Sequence, residues 1–437
     1  MTVIVEVLAH VGGRTDLPVP LSFFVVGAGL AIVVSFVMLS SNWLRPRLQG
    51  DYRRTTDSSR WLRSLGTLAA FLGVVGLGLV VANGVLDGSG STRAIAPVLV
   101  WIVFWLAIPF ASVVVGGLWR WISPYRRFVH LTSGAIAERP ELLARIGVWP
   151  AVVAFFGFVW LELIFPDNTV PATLATATVV YGIYLFALSR RLGPETALTS
   201  GSAFETYTGV ISRIAPIELV TTPDRGPARL ERRGWLVALP HMPTLPGTAA
   251  FIIAMIGTVT YDGMAGAGWW ADVTGDIRRE VWFETVALLA TCLVIGAAYY
   301  GASRLAAHLA GAGRNTGEIA ASFAHTLVPI AFAYAFAHYF SLIVFEGQQL
   351  LHVASDPFGR GWDLFGTADW RVVFTPSQLW IWYVQVIVIV LGHIAAVVLA
   401  HDRALAEFEL EVAVRTQYAM LVLMVTLTGL GLFILAG

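Results

Sequence analysis

About 20 apolar residues suffice for a helix rising 1.5 Å per residue to cross a hydrocarbon layer ~30 Å thick. The sequence contains ten such runs, near 20–41, 65–84, 94–118, 144–165, 170–189, 247–262, 281–303, 322–346, 375–400 and 414–436. The predicted fold class is therefore all-α, a polytopic membrane helix bundle of about ten transmembrane helices. Composition agrees, at 57% hydrophobic and 13% charged residues, with a mean hydropathy of +0.73. A soluble chain of 437 residues would split into two or three cored domains, but a bilayer replaces the water that drives such cores to form. One integral membrane domain over 1–437 is the economical expectation, with 190–246 as a long cytoplasmic connector and 346–374 as an extracytoplasmic loop.

Orientation follows from arginine, because basic loops stay cytoplasmic. Segments 42–64, 119–146, 190–246, 304–321 and 401–413, with Arg415, carry 22 of the 28 arginines. The other face carries only Arg14, Arg93, Arg278, Arg279, Arg360 and Arg371. With an even number of spans, this places both termini outside. The run VIVEVLA is short, is broken by Glu6 and lacks a basic leader, so the first crossing is expected to serve as an uncleaved anchor in the cell membrane. A net charge of zero argues against a nucleic-acid partner. The single cysteine, Cys292, excludes a disulfide framework or CxxC pair. No internal repeat of the kind that marks inverted-repeat transporters is visible.

The middle of 190–246 suits an interfacial amphipathic helix, and its Pro- and Arg-rich part reads as a solvated loop touching anionic headgroups. In the outer loops, Trp269, Trp270, Trp362 and Trp370 suit an aromatic belt or the roof of a cavity.

An ionisable group near the middle of a span costs roughly 2.5–3.5 kcal/mol on insertion scales, so it faces the protein interior and has a partner. Function is sought first among such groups, and orientation sorts them into two layers. The outer layer can combine Glu162, Asp262, Glu284 and His338, with Tyr334 near mid-depth and His10 and His352 within reach from loops. The inner layer holds His325, His393, His401 and Asp402, with His308 nearby. At 100° per residue, Tyr334, His338, Ser341 and Gln349 share a helix face about 80° wide, while His325 points about 140° from His338.

Carboxylates and imidazoles at one depth suit a divalent ion of the Zn or Mn type, which would generate a hydroxide nucleophile. The metal set is His338, Asp262, Glu284 and His10, though no sequence-local metal motif such as HExxH supports it. Each residue also has a plainer reading. Tyr334 and Gln385 suit interhelical hydrogen bonds, Glu162 and Glu284 suit caps or pairs near the interface, and His401–Asp402 suits a helix C-terminus. No haem is expected. There is no CxxCH motif, and bis-histidine ligation through His325 and His393 is the weakest option.

The segments AHVGGRTDLPVP, WLELIFPDN, GSAFETYTGVISRIAP, GTVTYDG, LVPIAFAYAFAHYFSL, GRGWDLFGTADW and GHIAAVVLAHDRAL occur in this order. Together they resemble a family of actinobacterial polytopic membrane proteins commonly labelled fenitrothion hydrolase, nearly end to end. The resemblance implies hydrolysis of a phosphotriester P–O bond by a membrane-embedded enzyme, with hetero-oligomeric organisation. It marks His10, Glu162, Asp262, Tyr334, His338, His393, His401 and Asp402 as motif positions without giving them roles. A hydrolase would take Glu162, Asp262 and His338 as ligand or base, with Tyr334 donating to the developing oxyanion. The rivals are a metal-ion or proton transporter using both layers, and a non-catalytic subunit of an envelope complex. A small hydrophobic substrate or a metal ion is the partner expected besides the bilayer.

Overall fold

The computed structural model of the chain describes residues 19–50, 54–55, 60–86, 94–220, 229–311, 313–370 and 374–436. Among these, nine helices are long and apolar enough to cross a membrane. The bent pair Pro140–Ile146 and Trp149–Leu163, which meet at 61°, supplies a tenth. The all-α polytopic bundle expected from the hydropathy pattern is what forms. Helices prevail because a segment in lipid must satisfy its backbone polar groups internally. The bend falls where Gly147 takes a positive φ of 55° and Pro150 opens the next helix, where its missing N–H costs no bond.

The chain folds as two compact units, one of Arg53–Trp235 with Ser341–Thr375 and the other of Thr2–Tyr52, Leu236–Phe340 and Pro376–Gly437. In the first unit, the Arg60–Leu86 helix packs along Pro171–Leu192. The span Ile95–Ser112 is wound as a π-helix over Val98–Ala107, where the N–H of Ile108 reaches back five residues to the Val103 carbonyl. Nothing in the hydropathy pattern distinguishes that winding from an α-helix.

Among the described residues of 190–246 lie the α-helices Pro194–Gly201 and Ala203–Ile211, a 3₁₀ turn at Ser212–Ile214 and two antiparallel strands. Pro194 opens the first helix. Ser202 caps the second, its Oγ accepting the Glu205 N–H at 3.2 Å, with the Ser-x-x-Glu spacing of a capping box. The second helix is buried rather than interfacial. Tyr207 stacks on Trp105 at 4.9 Å and on Phe155 at 5.6 Å, and Phe204 meets Phe104 at 4.4 Å. Strands β1 (Arg54–Thr55), β2 (Val115–Gly116), β3 (Ile217–Val220) and β4 (Arg229–Arg232) form one small sheet in the order β1-β4-β3-β2. All neighbours are antiparallel except β2 and β3. The arginine-rich stretch expected to be a solvated loop thus contributes one of these strands. Arg233 is buried behind it, donating to Glu218 at 2.5 Å and to the carbonyls of Ser212 and Ala215.

A charge network ties these short helices to Pro124–Ser133. Arg126 meets Glu195 at 2.9 Å and Glu205 at 3.9 Å, Arg120 lies 4.0 Å from Glu205, and His130 Nε2 lies 3.1 Å from Glu195. Burial pushes the Glu205 carboxyl above its ordinary range, outweighing Arg126 and Arg120. The hydrogen bond from His130 holds Glu195 below its ordinary range, with Arg126 adding to the effect.

The second unit contains the helices Leu21–Asn42, Thr248–Ala265, Val281–Ala310, Gln378–Glu407 and Leu410–Ala436, and the N-terminal part of the span Thr316–Glu346, up to Phe340. Thr248–Ala265 is the most enclosed span, and Phe251, Ile252, Ile256 and Tyr261 are essentially inaccessible to solvent. Lipid tails are as apolar as leucine, so such helices associate through close packing rather than through a hydrophobic drive. Two glycines permit it. A Cβ on Gly392 would lie 2.4 Å from Ala333 Cβ and 2.8 Å from the Pro329 carbonyl, and one on Gly431 would lie 2.8 Å from the Tyr334 ring.

Candidate functional site

Thr248–Ala265 carries Tyr261 and Asp262 near its C-terminal end. Consecutive residues on a helix point about 100° apart, so the two engage different neighbours. The Tyr261 hydroxyl donates to Glu284 in the first turn of Val281–Ala310. Asp262 Oδ2 accepts from the Tyr339 hydroxyl at 2.9 Å and lies 2.8 Å from His338 Nε2. An ionised carboxylate only accepts, which assigns a proton to Nε2. Nδ1 sits 3.6 Å from the point a side chain on Gly263 would occupy. The His338 and Asp262 side chains are 17% and 16% exposed, neither sealed in the core nor solvated.

Beside the pair is a crevice of about 20 Å³ lined by Thr260, Tyr334, His338, Ile389 and Gly431 among others. That is room for about one water molecule. Tyr334 forms a wall of the crevice, and its hydroxyl donates to the Leu427 carbonyl, so its proton is committed to the backbone.

Three of the outer-layer residues, Asp262, Glu284 and His338, thus fall in one unit as two hydrogen-bonded pairs, Asp262–His338 and Tyr261–Glu284. Glu162 belongs to the other unit, at the end of Trp149–Leu163, where it is buried and its charge acts on Tyr207. His10 lies outside the described residues. His352 is on the helix Gln349–Ser355, also in the first unit. Among the described residues, no group of three His, Cys, Asp or Glu converges as a metal site.

The inner residues separate as well. His401 Nδ1 lies 2.9 Å from Gln417 and Nε2 lies 2.8 Å from the Trp43 carbonyl. Asp402 receives the Arg47 N–H at 2.5 Å, the Leu48 N–H at 3.2 Å, Gln49 Nε2 at 2.9 Å and Trp43 Nε1 at 3.2 Å. Both side chains are fully buried. They act as a clamp on segment 43–49. His393 donates Nδ1–H to the Ile389 carbonyl and its ring lies 5.9 Å from that of Tyr334. Gln385 donates to the Ala337 carbonyl at 2.7 Å, the interhelical role anticipated for it. His325 donates Nδ1–H to the Ser322 carbonyl at 2.9 Å.

Tyr339 is the residue that sequence reasoning missed. Its only signal is adjacency to His338, and an aromatic residue in an apolar span reads as packing. The chain matches no family model, no curated protein and no solved structure.

Proposed function

We propose that the protein is a hydrolase of hydrophobic phosphotriesters embedded in the cell membrane, the activity its motif resemblance implies. It works through His338, Asp262 and Tyr339 in the half of the bundle that the arginine distribution turns outward. The observation that supports this reading is one carboxylate shared by an imidazole and a phenol beside a water-sized crevice. Asp262 orients the ring and stabilises the imidazolium that forms, as a carboxylate does in a catalytic dyad. His338 Nδ1 takes a proton from a water in the crevice while that water's oxygen bonds to phosphorus. The aryloxide leaves with the electrons of the broken P–O bond, and the imidazolium returns its proton to solvent.

A divalent ion of the Zn or Mn type would polarise the phosphoryl oxygen. With Nε2 bonded to Asp262 and Nδ1 acting as the base, His338 has no nitrogen for the ion, so Asp262 is the one donor of the pair, short of the usual three of a catalytic zinc site, and His10 is the further candidate of the original set outside the described residues. His401 and Asp402 of the inner layer are spent on backbone and loop contacts, which favours a single site over a path through both layers.

The test is aryloxide release from a dialkyl aryl phosphotriester by purified protein in detergent, with bound metal measured in the same sample. His338→Ala and Asp262→Asn are expected to abolish release. No turnover by the wild-type protein, together with proton or metal uptake in liposomes that needs His338, would overturn the hydrolase in favour of transport. Absence of both activities would leave a structural subunit.

A further inference from the structure

The inner end of the second unit contains an arrangement that the proposed hydrolase does not use. Pro329 stands four residues after His325, and a proline both lacks the N–H that would bond residue i−4 and crowds that residue's carbonyl. The span accordingly tightens into a 3₁₀ turn over Ala324–Leu327, where the Val328 N–H bonds the His325 carbonyl three residues back. Such turns inside a long helix often mark functional positions. This one turns His325 inward, 3% exposed. Its Nδ1–H is used by the Ser322 carbonyl, and its Nε2 has no hydrogen-bond partner among the described residues.

Arg403, on Gln378–Glu407, is held by a bond from its NH2 group to the Pro240 carbonyl at 2.8 Å, and its Nε is likewise buried without a partner. The charged groups that act electrostatically on His325 are Arg403 and His241. The carboxylates on the same stretch of helix are engaged elsewhere: Asp402 with segment 43–49, and Glu407 with Arg314 at 2.8 Å and with Ser322. Buried polar groups are normally bonded, so on these packed segments Arg403 Nε–H calls for an acceptor, and His325 Nε2 calls for a second one once it is protonated. A cation is disfavoured by the guanidinium.

We infer that His325 Nε2, Arg403 Nε and His241 frame a binding site for a phosphate-type oxyanion, supplied either as free phosphate or as the headgroup of an anionic phospholipid. Arginine and imidazolium donors match such an anion, and its charge would draw a proton from solvent onto His325 Nε2. The exposed His241 leaves the site open at the rim. By the arginine count, that rim faces the cytoplasm, where anionic headgroups attract basic residues.

The experiment uses the full chain in detergent, stripped of lipid. Inorganic phosphate is titrated by calorimetry, and a parallel sample is exchanged with phosphatidylglycerol or phosphatidylcholine and examined by native mass spectrometry. Arg403→Gln and His325→Gln are each expected to weaken binding about tenfold, the scale of one charged hydrogen bond. Arg314→Gln, a neighbouring basic residue outside the site, is expected to leave it unchanged. Thermal unfolding of each variant reports whether it folds, and the milder His325→Gln stands if Arg403→Gln does not. Phosphate binding identifies the free ion as the source. Retention of phosphatidylglycerol alone, lost in the variants, identifies the headgroup. Binding of neither by the wild type, or equal binding by folded variants, overturns the site and leaves a bridging water in its place.

Discussion

Asp262 and Asp402 both lie next to histidines in the same unit, yet their surroundings differ in kind. Asp402 shares its two oxygens among four donors, three of them from the continuous segment 47–49, and it is fully buried. Asp262 meets His338 from a helix 76 residues away and Tyr339 beside it, and remains partly accessible next to a crevice. A carboxylate saturated by backbone and side-chain donors of one segment fixes a loop, whereas one that orients an imidazole at an open edge can support proton transfer. Burial cost alone singles out both and does not tell them apart.

The largest expected effect is on turnover. Removing a positioned base costs about 10²- to 10⁴-fold, so His338→Ala and Asp262→Asn should lower phosphotriester hydrolysis by that much. Thermal stability should change by about 1 kcal/mol or less, because a partly exposed pair is lost. A loss of stability as large as that of activity would place Asp262 in the same structural class as Asp402. Next is Asp402→Ala, which strands several buried donors and should cost about 3 kcal/mol or more of stability. The surviving folded fraction should keep its specific activity. Unchanged unfolding in detergent would show that segment 43–49 is held by other means.

Tyr339→Phe tests the middle ground. It removes one of the donors to Asp262 while keeping the ring, so turnover should fall about tenfold, the scale of one hydrogen bond to a charge. The pH profile of turnover should shift as well, since the proton affinity of the Asp262–His338 pair changes. A purely structural tyrosine would lower stability without moving the profile.

The spans were legible because lipid imposes a length and a polarity that a single sequence displays. The break between Pro140–Ile146 and Trp149–Leu163 was missed because hydropathy averages over Gly147, whose positive φ redirects the chain. The Ala203–Ile211 helix was expected at the interface because its partners, Trp105, Phe155 and Phe104, lie far away in sequence and leave no trace in its periodicity. His338 and Asp262 were legible singly, by the cost of placing them in a membrane. Their pairing was not, because it depends on which helix faces which. Arg403 escaped notice for a different reason. Counted among the loop arginines that orient the chain, it gave no sign that one of its nitrogens is buried.

The smallest effects come from a third histidine–carboxylate pair, in the other unit, where the contact is exposed. Glu195 is 54% exposed beside His130, so its pairing is screened and worth a few tenths of a kcal/mol. Its pKa is depressed from 4.5, so that contribution is present above pH 4.5 and disappears as pH falls through the lowered value. Glu205, in the same network, is displaced upward from 4.5 by burial. Its contribution is complete below pH 4.5 and is lost as pH rises through the raised value. Thermal midpoints between about pH 2.5 and 8 should therefore respond in opposite senses: Glu195→Gln flattens the acid limb below pH 4.5, and Glu205→Gln removes the decline above pH 4.5. If both variants flattened the same limb, burial would not be what distinguishes these two carboxylates, and the contrast drawn between Asp262 and Asp402 on burial and donor count would lose its nearest parallel.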